Sequence, residues 1–278
     1  MARTENDTIS KVRFSFAVFI ILAVALSIGG CARNPEGTPF WLNVHLELEE
    51  GDHISALNYL GDLLRQDTVY TERAIALKIT IIGALLRTGL DFEDACTEGI
   101  NKVPDWAKQT YNRCIDRFRW QARTRALSLI EALTEFEAAT ANSETVVLDF
   151  RLRPASSAPS SIIGRIRAGI TPDEKLLEPA VIRTVDREFV VQAGAQTGSQ
   201  DFESTVALFE TGSVVKVSKG QFLLGVAKTL LEGARVFEAD RLDDEPKRLA
   251  ILKRAKECAK AAGAADPTLK AAATKLRR

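Results

Sequence analysis

From Pro104 to about Ala139 one apolar face repeats at helical spacing: Ala107, Tyr111, Cys114, Ile115, Phe118, Ala122, Ala126, Ile130 and Leu133. That period predicts a helix, capped by Asp105 and about 50 Å long at 1.5 Å per residue. A helix of this length with one apolar stripe has to find partners along its whole length. The segment before it supplies the first. Glu72 to Arg87 is apolar nearly all the way round (Ala74, Ile75, Leu77, Ile79, Ile81, Ile82, Ala84, Leu85, Leu86), which predicts a central, buried helix capped by Thr71. Arg73 and Lys78 interrupt that run, and it is too short to span a membrane. Low aromatic content and abundant alanine also favour packed helices over a β-sandwich. The expected fold is all-α, an α-solenoid-like stack of helix pairs.

Other segments fit this plan. Trp41 to Glu50 reads as a helix ended by Gly51, although its alternation also suits a strand. Asp52 caps a helix to about Arg65 with Ile54, Leu57, Leu60 and Leu64 on one face. Gly89 is expected to stop the central helix, and Asp91 to cap a short helix to about Lys102. Val146 to Leu148 is a helix end or a strand. The Pro- and Ser-rich stretch after it predicts a loop near 151–170. Thr171-Pro172-Asp173-Glu174 has the form of a capping box. Over 181–191 helix and strand compete, and the four-residue recurrence of Val181, Val185 and Phe189 favours helix. Asp201 to Glu210, Ser218 to about Ala239, Pro246 to Gly263 and a last segment from Pro267 complete the helices. Val214 to Val217 is a brief extended piece.

Two fragments resemble the tetratricopeptide repeat. Ala255, Ala259, Ala262 and Pro267 are similar to the second half of a unit. Leu57, Leu60-Gly61, Leu64 and Ala74 are similar to the first half of another. Generic helix packing with alanine at close contacts is the competing reading. The resemblance implies recognition through a groove and carries over no site residue.

Phe14 to Ile28 carries no charge and follows Arg3, Lys11 and Arg13. A basic start and a short apolar run ending in small residues predict a secretory signal. Its end, Ile28-Gly29-Gly30-Cys31, resembles the lipobox of bacterial lipoproteins. That resemblance implies cleavage before Cys31, lipid on the Cys31 thiol, and a cell-envelope address. Ala32, where that family places Asp for inner-membrane retention, implies the outer membrane, facing the periplasm. The alternative is an uncleaved helical anchor. The chain then divides into a signal peptide (1–30), a lipidated tether (31–40) and a helical domain (41–278). Without residues 1–30 the chain holds 34 bases against 35 acids, and this balance argues against a nucleic-acid partner. In an oxidising compartment Cys96 and Cys114, on either side of the Pro104 break, are placed to form a disulfide. Two small buried thiols are the alternative. Cys258 is expected free and buried.

Catalytic patterns are sparse. His45 and His53 have no second ligand at metal spacing, so each reads as a solvated or capping histidine. Ser213-Val214-Val215-Lys216 matches the SxxK pattern of serine penicillin-binding enzymes but lacks that chemistry's other motifs. Asp240, Asp243, Asp244 and Glu245 do not follow calcium-loop spacing and read as a solvated acidic turn. No cofactor pattern is present. Arg113, Arg117 and Arg123, with Arg119 and Arg125 among them, line the long helix as a candidate binding face. Lys247 to Arg278 holds ten bases against Glu257 and Asp266. The expected function is an envelope-anchored lipoprotein that binds a protein partner or a ligand without catalysing a reaction. A transport accessory or an enzyme with a cavity among its helices is the competing class. Replacing Cys31 by Ser is expected to abolish both acylation and signal cleavage, read as the intact mass of protein isolated from membranes.

Overall fold

The computed structural model describes residues 37–277 other than Pro172 and Ser213. Cys31 and the serine of the SxxK stretch therefore lie outside the described residues. From Gly37 onward the chain forms one compact unit. Its helices are α1 (Thr38–Glu50), α2 (His53–Leu64), α3 (Thr71–Gly99), α4 (Asp105–Ala139), α5 (Ser161–Arg167), α6 (Glu174–Thr197), α7 (Phe202–Phe209), α8 (Lys219–Ala234), α9 (Glu245–Ala265) and α10 (Lys270–Arg277). Strands β1 (Thr145–Leu148) and β2 (Val215–Ser218) form one antiparallel pair, Val146 opposite Val217 and Leu148 opposite Val215. The fold is all-α, with this single ribbon among the described residues. No helix among the described residues is long and apolar enough to cross a membrane.

Helix α3 occupies the centre and touches α2, α4, α5, α6, α8 and β1. Residues from Ala74 to Ala84 are buried on nearly every side, as an all-round apolar helix requires. Helix α4 returns antiparallel along it. Lys78 pairs with Glu135, Glu93 with Arg119, and Cys96 with Cys114. The expected stop at Gly89 does not occur, because α3 runs on to Gly99. A Cβ at Gly89 would lie 3.2 Å from the Ala122 Cβ and 3.3 Å from the Phe118 carbonyl. The glycine thus serves the close approach of α4 rather than an end of α3, and Asp91 lies inside the helix.

Several boundary expectations are corrected. Residues 38–40, assigned to the tether, begin α1. Asp105 is the first residue of α4 and bonds to Lys108, so Pro104 takes the cap position. Thr71 is likewise the first residue of α3, its hydroxyl donating back to the Thr68 carbonyl. Asp173, rather than Thr171, caps α6 by accepting from the Lys175 amide, and α6 continues through Pro179. The loop near 151–170 contains α5. That helix sits on the tip of the α3–α4 hairpin, where Tyr111 Oη donates to the Ile166 carbonyl at 3.0 Å. On α2 the buried face is His53, Ala56, Leu60 and Leu63, while Ile54 is exposed.

Two apolar clusters result. The larger spans α1 to α4, the ribbon, and α6 to α10, and takes in Phe150 and Leu152 from the segment after β1. The smaller fills the hairpin tip with Phe92, Tyr111, Phe118 and Ile166 and contains the Cys96–Cys114 disulfide, with Cα atoms 6.3 Å apart. Helices α8 and α9 form a second antiparallel pair, in which Cys258 Sγ lies 3.2 Å from the Leu223 carbonyl. Ala255, Ala259 and Ala262 are buried there, as close helix packing demands.

Helix α8 meets α6 most closely at Gly225, where a Cβ would lie 2.6 Å from the Ala195 carbonyl oxygen. Gly61, in the middle of α2, has nothing within 4 Å of the same point. Gly225→Ala should destabilise the domain by about 1–3 kcal/mol through overpacking. Gly61→Ala should stabilise it by roughly 0.5–1 kcal/mol through helix propensity. Chemical denaturation of both variants tests the opposite signs.

Candidate functional site

The turn between α1 and α2 closes one side of a cleft of about 390 Å³ whose other walls are α3, α4 and α6. Its size lies within the range of small-molecule sites. Leu85 of α3 and Val181, Ile182 and Val185 of α6 make its apolar surface. From α4 come Arg117, Gln121 and Arg125, spaced four residues apart and so on one helix face. Glu50 and Asp52 of the turn and Glu178 of α6 supply carboxylates. Among the described residues no carboxylate lies within ion-pair distance of Arg117 or Arg125, and none of the three α4 side chains is hydrogen-bonded within the chain. Arg125 is half-buried, and that desolvation lowers its pKa. The site therefore presents separated cationic and anionic walls with apolar surface beside them.

The turn depends on Gly51 and Arg153. Gly51 has φ +83°, and a Cβ on it would fall 1.8 Å from Arg153 Nη1, so a larger residue would strain the backbone and displace the guanidinium. Arg153 Nη1 donates to the Glu50 carbonyl at 2.9 Å and stands 3.7 Å from Asp186 Oδ2. Asp186 Oδ1 in turn lies 3.8 Å from His53 Nε2. The expectation of a solvated or capping His53 is overturned. Asp52 is the cap, accepting from the Ile54 and Ser55 amides, while His53 is buried as the first residue of α2. Packing His53 inward explains why α2 is rotated from its expected face. Burial lowers the His53 pKa to about 4 and raises that of Asp186 to about 6, the latter opposed by Arg153. At neutral pH the imidazole is uncharged. Its Nδ1, 3.1 Å from the Gly51 carbonyl, carries the proton because a carbonyl can only accept. Thr88, the one threonine of the cleft wall, gives its hydroxyl to the Ala84 carbonyl. His45, on α1, packs edge-on to Trp41 at 4.9 Å and takes no part.

The arginines of α4 divide among three environments. Arg117 and Arg125 face the cleft, with Arg113 exposed one turn earlier. Arg123 stacks over Trp120 at 4.8 Å. Arg119 turns inward to Glu93, whose other oxygen accepts from Arg241 at 2.7 Å. Arg241 also pairs with Asp94. This network ties the acidic stretch after α8 to α3 and α4. Asp244 caps α9, accepting from the Lys247 amide, and Glu245 pairs with Arg248. No group of three potential metal ligands occurs among the described residues.

A second polar array runs between α3, α6 and α8. Gln196 accepts from Thr80 at 2.8 Å, Gln192 from Thr229 at 2.7 Å, and Arg87 pairs with Glu232 at 3.1 Å. Glu188, paired with Arg187, is raised to about 7 by burial. These residues were missed in the sequence because their spacing along α6 resembles an ordinary polar face. Cys258 is buried and its thiol is pushed up to about 12, which makes it inert.

Asp186 generates a pH prediction. Its folded pKa lies above the unfolded value, so its contribution is fully present below about pH 4 and is lost as pH rises through about 6. Asp186→Asn should therefore gain on wild type by about 2–3 kcal/mol between pH 4 and pH 7, as measured by denaturation at each pH. No protein-family model, curated protein or solved structure matches this chain, so the cleft's own residues are what point to a function.

Proposed function

We propose that the chain is an envelope lipoprotein, anchored through Cys31 to the periplasmic face of the outer membrane, whose helical domain binds a ligand without transforming it. The ligand class that best fits the cleft is a small zwitterion with an apolar body, such as an apolar amino acid or short peptide. Its carboxylate would meet Arg117 and Arg125, with Gln121 between them. Its ammonium group would meet the carboxylates of Glu50, Asp52 and Glu178, and its side chain would lie on Leu85, Val181, Ile182 and Val185.

One observation carries this reading. Two arginines and a glutamine at successive turns of α4 line the same cleft without an ion pair or hydrogen bond among the described residues, the Arg117 guanidinium lying over the Phe118 ring at 5.4 Å. Arg125 is half-buried without a counter-ion while Arg117 and Gln121 are exposed, and an incoming carboxylate would give both arginines charge-assisted hydrogen bonds. The neutral His53 adds no competing charge at physiological pH. It belongs to the support of the turn, through Gly51 and Asp186, rather than to any chemical step.

Calorimetry with leucine, leucyl-leucine, hexanoate and hexylamine separates the contributions. The zwitterions should bind at least about tenfold more tightly than either singly charged probe, equivalent to about 1.4 kcal/mol. Arg117→Gln with Arg125→Gln should remove that advantage while leaving the thermal unfolding temperature within a few degrees of wild type. Equal affinity for all four probes, or turnover of any of them, would overturn the reading.

A further inference from the structure

Helices α9 and α10 carry a basic surface that the cleft does not use. Lys256, Lys260, Lys270, Lys275 and Arg277 are exposed, and none has an ion pair among the described residues. An open groove between the two helices is lined by Lys256, Lys260 and Arg277 together with Leu249 and Leu252, and Leu249 is 55% exposed. The one acid in that groove, Glu257, is already engaged by Lys253 at 4.0 Å and Arg254 at 3.6 Å. The surface is therefore cationic with apolar side chains between the charges.

Its place in the fold matters as much as its charge. A Cβ on Gly37, the first described residue, would lie 2.9 Å from Thr68 Cγ2, and the Thr68 amide donates to Thr71 Oγ1 at the start of α3. Glu72, next along α3, accepts from Ser143 at 3.1 Å. The neighbouring Glu144 carbonyl accepts from the Lys219 amide at 2.9 Å, and Ser218 donates to Asp266 at 3.2 Å. Asp266 caps the end of α9 and opens the short 3-10 turn Pro267–Leu269 that leads into α10. These contacts form a continuous relay from the start of the domain to the junction of α9 and α10. Only five residues lie between Cys31 and Gly37, six steps with a reach of about 20 Å at full extension.

We propose that the α9–α10 surface docks on anionic phospholipid headgroups, so that the domain rests against the membrane through a second, electrostatic contact. Lysines reach the phosphates while Leu249 and Leu252 meet the interfacial zone, as in basic amphipathic helices that lie on membranes. The proposal is strengthened by the lipid-anchor reading but does not depend on the acyl group, because the basic surface itself makes the contact.

Hydrogen–deuterium exchange on the full-length protein, reconstituted in vesicles, tests the contact without labels. One set of vesicles is phosphatidylcholine alone, and the other contains about a third phosphatidylglycerol. Helix α10 has eight residues, short enough that local opening is expected to govern its exchange, so docking should slow it at least about threefold in the anionic vesicles only. Raising the salt to about 0.5 M should restore fast exchange, since screened surface charges lose their hold. The Lys256→Glu, Lys260→Glu, Lys270→Glu, Lys275→Glu variant should exchange equally in both vesicles, with α8 peptides unchanged as the control for folding. Equal exchange of wild-type α10 in the two vesicle types overturns the proposal and assigns the basic face to an acidic protein instead. The intact mass of Cys31 in the same sample reports on the anchor separately, so an unmodified thiol would refute acylation while the exchange contrast still decides the docking.

Discussion

Surrounding a helix on every side is the constraint from which the rest of this structure follows. Helix α3 has neighbours all round its circumference, and each must come close enough to exclude water from an apolar surface. Small residues make that possible. Gly89 admits Ala122 of α4, and Gly83 admits the Gln192 side chain, whose nearest atom would lie 2.7 Å from an added Cβ. The packing explains the order of the other elements. Helix α4 returns along α3, α5 caps the hairpin tip, and α6 and α8 close the remaining sides. Interiors packed to this density leave little room for relaxation, so errors at the contacts are felt directly.

A helix buried on all sides also has to dispose of its polar groups. Here they meet across helices rather than facing water. Thr80 bonds Gln196, Arg87 meets Glu232, and Glu93 is held between Arg119 and Arg241. Such pairs contribute little net stability relative to apolar packing, but leaving one partner alone inside would be costly. Their value is in registering α3 against α4, α6 and α8, which sets the walls of the cleft. Arg153 acts in the same way on the α1–α2 turn, joining the Glu50 carbonyl to Asp186 beneath His53. The cleft is thus a by-product of a rigid frame. Arg117, Gln121 and Arg125 line it without an ion pair or hydrogen bond among the described residues.

Much of the fold was legible in the residues. Apolar spacing identified the long α4 and the buried α3, Asp52 and Ser218 marked true helix starts, and Asp201 began α7 as read. Each rests on interactions within a few residues, which a linear sequence records. The misreadings share the opposite character. Gly89 looked like a stop because its reason for being there, Ala122, lies over thirty positions away. His53 looked wet because Gly51, Arg153 and Asp186 come together only on folding. The α2 face was misplaced for the same reason.

The sequence by itself determined that this chain packs helices and where most of them begin, and it places an uncharged apolar run, Phe14 to Ile28, before Cys31. Helix period, caps and hydrophobic runs are local quantities, readable wherever they occur. Which arginine does what was decided by tertiary structure alone. Arg117, Arg119, Arg123 and Arg125 share one helix and much the same composition around them, yet one ties down a buried glutamate, one stacks on a tryptophan, and two are left facing a cleft. Successive residues on a helix point about 100° apart, so a few positions along α4 separate a structural ion pair from a binding wall. Only the placement of α3, α6 and the α1–α2 turn around that helix distinguishes them.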